Sequence, residues 1–243
     1  FSSGFAVVEG EAGAGVSVAL GAASAGLGAS SAGIGLGASA TCRSGRGRGR
    51  GMGAAVSAGA TTVPLSQVTL LAPIPRPRKN IVCLGMNYAL HAYERVRARG
   101  NPEVLPELPV CFTKAPTSVL GPDGTVTLHE SVTSQLDWEV ELGFVIGRTA
   151  REVEESDALS YVFGYTIIND VSARDLQNRH QQFFRAKSLD GCGPIGPWIV
   201  TADEIPDPHA LGIRLRVNGE TMQESSTGDQ IFKIPTVISV LSH

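Results

Sequence analysis

Cysteine is scarce in this sequence. The four residues Cys42, Cys83, Cys111 and Cys192 form no CxxC pair and no cysteine-histidine spacing of the zinc-binding kind, and they are too few to staple a chain of 243 residues. A disulfide scaffold is excluded on that ground, and the thiols read as reduced and mostly buried, in a cytoplasmic or organellar interior. A surplus of one charge is also lacking: 20 basic residues oppose 23 acidic ones, a net charge of -3. Overall charge therefore points to neither nucleic acid nor an anionic membrane as partner. A small molecule is the expected ligand.

From Phe1 to about Thr62 there are almost no aromatic side chains and no sustained period of 2 or 3.6, and Gly, Ala and Ser dominate. Such a segment buries too little apolar surface to offset its conformational entropy, so residues 1–63 are expected to be disordered. Between Ala12 and Cys42 there is no charge, but small residues bring too little transfer free energy for a membrane span. The stretch CRSGRGRGRG from Cys42 to Gly51 has features of an import peptide and of an RNA-contacting tail. Glu9 and Glu11 sit badly with the first, four arginines are a weak case for the second, and a solvated linker is the plainer reading.

Organised sequence occupies 64–243, and 42% hydrophobic residues are enough for a core. The patterns predict strands at Asn80–Leu84, Val110–Lys114, Thr125–Leu128, Tyr161–Ile168 and Trp198–Thr201, and a hairpin over Ile213–Met222 turning at Asn218-Gly219. Helices are expected over Tyr88–Arg99, from Arg151 to Leu159, after Asp170 in VSARDLQNRHQQFF, and over Pro235–His243. Short strands broken by glycine-proline turns indicate a mixed α/β fold, mainly β, rather than a doubly wound sheet.

The most unusual stretch is QLDWEVELGFVIG, Gln135 to Gly147. Strand alternation puts Asp137, Glu139 and Glu141 on one face and Trp138, Val140, Leu142, Phe144 and Ile146 on the other. Neighbouring like charges on a strand repel unless a cation binds them or water covers that face, and both readings stand on this strand alone. Asp170, at the end of YVFGYTII, either caps the following helix, which is the better reading of a lone aspartate there, or presents a ligand at a strand end. His91 and Glu94 share a helical face at i and i+3, as a surface pair or as a chemical one. Lys187, on its own, reads as a solvated lysine. Taken together, Glu139, Glu141 and Asp170 make an all-oxygen set suited to Mg2+, Mn2+ or Ca2+.

The segments GMNYALHAYE (Gly85–Glu94), DWEVELGFVIG (Asp137–Gly147), GYTIINDVSARDLQ (Gly164–Gln177) and RAKSLDGCGPIGPWIVTADEIPDP (Arg185–Pro208) resemble, in order, the catalytic domain of the fumarylacetoacetate hydrolase superfamily. The resemblance runs from about Leu70 to His243 and implies a β-roll with peripheral helices, incomplete at its C-terminus, in a protein dimeric at full length. It implies Mg2+ or Mn2+ and a small 2-oxo or 2-hydroxy-enoic acid substrate, as in the breakdown of aromatic compounds. Carried over by position, Glu139, Glu141 and Asp170 match metal carboxylates, Lys187 the active-site lysine, His91 and Glu94 an acid-base pair, and Arg174 and Gln177 substrate-side positions. Asp137 matches a recurrent residue that is not a metal ligand. The expected reaction is carbon-carbon cleavage of an acylpyruvate through a stabilised enolate; isomerisation of 2-hydroxyhepta-2,4-diene-1,7-dioate type, oxaloacetate decarboxylation and a truncated, non-catalytic product are the alternatives.

Overall fold

A computed structural model of the chain describes residues 5–9, 33–35, 62–89, 105–180 and 182–243. Thirteen strands are defined there: β1 Phe5–Glu9, β2 Gly33–Gly35, β3 Thr62–Pro64, β4 Ile81–Gly85, β5 Val110–Lys114, β6 Val119–Leu120, β7 Leu136–Asp137, β8 Val140–Ile146, β9 Val162–Asn169, β10 Ser172–Ala173, β11 Gly193–Thr201, β12 Gly212–Val217 and β13 Glu220–Ser226. The helices among the described residues are short: α1 Glu155–Ala158, α2 Arg174–Arg179, α3 Phe184–Lys187 and α4 Ile234–Ser242. The main sheet runs β5-β4-β1-β8-β9-β11-β6 and curls into a half-barrel, which makes the fold mixed α/β and mainly β as expected.

Both faces of this sheet are covered. On one side Leu84, Val140, Leu142, Phe144, Val162 and Ile213 pack with Ile234, Val237 and Ile238 of α4. On the other, Ala72, Ile81, Cys83, Phe112, Val145, Ile168 and Ile195 form a second cluster. Residues Val140 to Val145 are therefore buried without alternation, and the solvated face considered for the acidic strand does not exist. Central strands buried on both faces read as continuous apolar runs, and here one charge interrupts the run.

Several expected elements are trimmed or replaced. Thr125–Leu128 forms no ladder, since β-branched residues make a strand only where a neighbouring edge accepts them. The helix expected from Arg151 begins only at Glu155, because Glu152 has a φ of 48° and cannot continue a right-handed turn. The stretch after Asp170 divides into α2 and α3, broken where His180 adopts extended backbone. Most of the Tyr88–Arg99 helix lies outside the described residues. The hairpin turn matches: Asn218 and Gly219, with φ of 52° and 86°, join β12 to β13 as a two-residue turn with both centres left-handed.

β1, β2 and the first two residues of β3 fall in the segment expected to be disordered. For Phe5–Glu9 that expectation is replaced by pairing, parallel to β8 from Phe5↔Leu142 to Glu9↔Ile146 and antiparallel to β4 at Ala6↔Cys83 and Val7↔Val82. A five-residue run, FAVVE, suffices when two open edges flank it. No helix among the described residues is long and apolar enough to cross a membrane.

Candidate active site

Register decides which side chains meet. Directly opposed residues in a ladder share a face, so Lys114 lies on the face of Ile81, and Phe112 on that of Cys83. Ala6 opposes both Cys83 and Gly143, and Glu141 lies two residues from Gly143, opposite Ile168. Cys83, Lys114 and Glu141 therefore converge on the second apolar cluster, at the end where β9 terminates and Asp170 follows. Glu139 and Asp170 are tied by backbone: Asp170 N donates to Glu139 O at 2.8 Å, and Glu139 N donates to Asn169 Oδ1 at 3.0 Å. β7 and β8 are separate strands, and Gln223 fills the break between them, its Oε1 accepting from Val140 N at 2.8 Å.

Glu139, Glu141, Asp170, Lys114 and Lys187 are all 0% exposed. Burying charges is tolerable only with close partners, and these are present. Lys187 Nζ contacts Glu139 Oε2 and Asp170 Oδ2, both at 2.6 Å, and lies 5.2 Å from the centre of the Phe112 ring. Lys114 Nζ donates to Asp170 Oδ1 at 2.8 Å, to Val171 O at 3.4 Å and to Lys187 O, which uses all three of its protons. Arg174 Nη1 forms an ion pair with Glu139 Oε1 at 2.6 Å and donates to Gln177 Oε1 at 2.8 Å, while its Nε and Nη2 hold Asp137 Oδ2 at 2.7 and 2.6 Å.

The protonation states follow from this arrangement. Burial disfavours the Lys187 ammonium, but Asp170, Glu139 and Glu141 outweigh burial and hold its pKa above the usual lysine value. Burial would also raise Asp170, yet Lys114 and Lys187 keep it below its ordinary value. For Glu139 burial wins over Lys187, and its pKa rises. Burial, reinforced by Asp170 and Glu141, pushes the Cys83 thiol well up.

The structure brings together Glu139, Glu141, Asp170 and Lys187, with Arg174 and Gln177 beside them on α2. Asp170 is no helix cap: Ala173 occupies the N-cap of α2, and the carboxylate serves the two lysines. His91 and Glu94 lie outside the described residues. Sequence reasoning missed Lys114, although Val110, Phe112 and Lys114 alternate in phase and the lysine continues the buried face. It also missed Cys83, which lies with Glu141 and Asp170 so that one ligand atom from each falls within 4.8 Å of the others. Two carboxylates at that spacing fit a divalent cation, and Lys187 shares one of them.

The family model for the fumarylacetoacetate (FAA) hydrolase C-terminal domain matches residues 80–243. The chain belongs to the fumarylacetoacetate hydrolase family. Oxaloacetate tautomerase YisK of Bacillus subtilis (strain 168) is 50% identical over 184 residues, which are 76% of this chain and 60% of that protein. Among solved structures, fumarylacetoacetate hydrolase from psychrophilic Exiguobacterium antarcticum is 44% identical with a TM-score of 0.64, covering 75% of this chain and 63% of that one. Maleylpyruvate hydrolase from Sphingobium sp. SYK-6, in complex with manganese(II) ion and pyruvate, is 32% identical with a TM-score of 0.62, covering 79% and 64%. The chain thus spans about 60% of the length of its curated relative. Members of the family are enzymes.

Proposed function

We infer that this protein catalyses keto-enol proton transfer on a small 2-oxo diacid of the oxaloacetate type, with a divalent cation, Mg2+ or Mn2+, as cofactor. The observation that carries the reading is the buried cluster in which Lys187, kept protonated, spans Glu139 and Asp170 while Arg174 stands at its more exposed edge. Relatives at 50%, 43% and 41% identity are named oxaloacetate tautomerases, which supports the same substrate class.

A divalent cation held by Glu139, Glu141 and Asp170 supplies, when bound, fixed positive charge opposite the 2-oxo and adjoining carboxylate oxygens. Lys187 adds a hydrogen-bond donor beside the carboxylates, placed to stabilise charge gathering on oxygen. Arg174, with its planar fork, suits the second carboxylate of a diacid. Gln177 Oε1 accepts from Arg174 Nη1 and fixes the fork's orientation. Removal of the proton from the carbon beside the 2-oxo group falls to His91, oriented by Glu94, a pair positioned i and i+3 in the sequence.

The test is the interconversion of enol and keto oxaloacetate, followed by ultraviolet absorbance with Mg2+ or Mn2+ present. Loss of the catalysed rate in Lys187→Met and His91→Ala, with retained fold, is the expected result. An unchanged rate in both variants refutes the assignment. Cleavage of an acylpyruvate is the second reading, favoured by the pyruvate complex of the maleylpyruvate hydrolase; it requires pyruvate release, measurable with a coupled dehydrogenase.

A further inference from the structure

Glu139 and Glu141 look equivalent in sequence, but the fold treats them differently. Glu139 is held by Lys187 at Oε2 and by Arg174 at Oε1, both at 2.6 Å, and Asp170 by Lys114 at Oδ1 and Lys187 at Oδ2, at 2.8 and 2.6 Å, but Glu139 is not part of the close-set group. The group that stands at bridging distance is another one. Cys83, Glu141 and Asp170 each offer a ligand atom within 4.8 Å of the other two, and all three side chains are fully buried. They arrive from three strands or strand ends, β4, β8 and the residue after β9, which the ladders through β1 hold in fixed register. Cys83 packs in the second apolar cluster and also sets its sulfur beside the two carboxylates, where as a donor it completes a three-point site.

We propose that Cys83, Glu141 and Asp170 form a mixed sulfur-oxygen site for a borderline or soft divalent cation, Zn2+, Co2+ or Cd2+, which competes with the hard cation for Glu141 and Asp170. The inference rests on the proposed cation dependence and adds to it: the hard ion takes oxygens, and the softer ion recruits the sulfur. On binding, the S–H bond breaks, its proton leaves to solvent and a metal–sulfur bond forms, so each ion bound at the sulfur displaces one proton. Glu139 stays with Lys187 and Arg174 in that state. A chain exposed to Zn2+ is thereby held in a form that lacks the hard ion needed for turnover.

Co2+ titration of the full chain, read by absorption and by calorimetry, tests the site without any assay of activity. The wild type is expected to show a thiolate-to-cobalt charge-transfer band in the near ultraviolet, and Cys83→Ser to bind Co2+ without it. Cys83→Ser should weaken Cd2+ about tenfold or more while leaving Mg2+ within about threefold, since only the softer ion uses sulfur. Should Cys83→Ser fail to fold, the triple variant Cys42→Ser, Cys111→Ser, Cys192→Ser decides: retention of the band supports the assignment to Cys83, and its loss overturns it. Co2+ bound by the wild type with no band also overturns the sulfur site, yet leaves the carboxylate site and the proposed function standing. A folded chain that binds neither Co2+ nor Mg2+ overturns both.

Discussion

At the scale of the residue, the cluster behaves as one unit because Glu139, Glu141, Asp170, Lys114 and Lys187 have no water to fall back on. Lys114 is the most exacting member, a fully buried ammonium with three protein acceptors. Lys114→Met leaves Asp170 short of a partner, and removing one member of a buried pair typically costs about 3–5 kcal/mol; urea unfolding of the variant is expected to show a loss in that range. Arg174→Lys keeps the charge but cannot hold Asp137, Glu139 and Gln177 together, so KM for a dicarboxylate should rise about tenfold with a smaller change for a monocarboxylate. The carboxylates were legible in the sequence because acids inside an apolar strand are conspicuous, and Lys187, Arg174 and Gln177 because the motif around them is long. Lys114 and Cys83 were not, since a terminal lysine and a core cysteine are ordinary on their own. Only the ladders from β5 through β4, β1 and β8 to β9 bring them to one place.

At the scale of the element, small residues decide how closely the strands approach the cluster. A Cβ on Gly193 in β11 would stand 2.9 Å from Lys114 Cε and 3.2 Å from Ser118 O. Gly193→Ala should therefore destabilise the chain by roughly 1–3 kcal/mol through overpacking and lower Mn2+ affinity in calorimetry by displacing Lys114. The start of α4 carries a pH-dependent cap: His209 Nε2 accepts from Ile234 N at 3.2 Å. Burial, aided by Lys233 and opposed by Asp207, lowers the His209 pKa from its ordinary value. The folded state thus prefers the neutral ring. That contribution is complete above the unfolded value of about 6.5 and is lost as pH falls through the folded pKa. Thermal melts from pH 7.5 to 5 should show a decline that His209→Asn reduces. The strand expected at Asn80–Leu84 stands one residue on, at Ile81–Gly85, while Val110–Lys114 and the hairpin turn at Asn218-Gly219 stand where expected. The break between β7 and β8 was not legible, because Gln223 comes from a hairpin more than eighty residues on, and local pattern carries no trace of it.

At the scale of the whole molecule, β4 and β8 are joined in one sheet by the segment with the least evident pattern. β1 pairs on both sides, and a proline within it removes a ladder donor. Val7→Pro is expected to lower the melting temperature and to expose amides of β4 and β8 to hydrogen exchange, read by mass spectrometry; unchanged protection of both strands would exclude a central place for β1. The fold class was legible because turns and short strands recur throughout 64–243. The position of β1 was not, since a five-residue run amid glycine and alanine acquires meaning only from the edges it meets.

The parallel pairing of β1 with β8 also bears on how the chain is made. During synthesis Phe5–Glu9 is translated long before Leu142, its partner, exists. Until more than 130 residues have followed, the first strand has an open edge, β4 arrives to cover one side only, and the buried acids are absent. In that interval the apolar run FAVV has no β8 to pair with, and an unpaired apolar edge is a template for association with other chains.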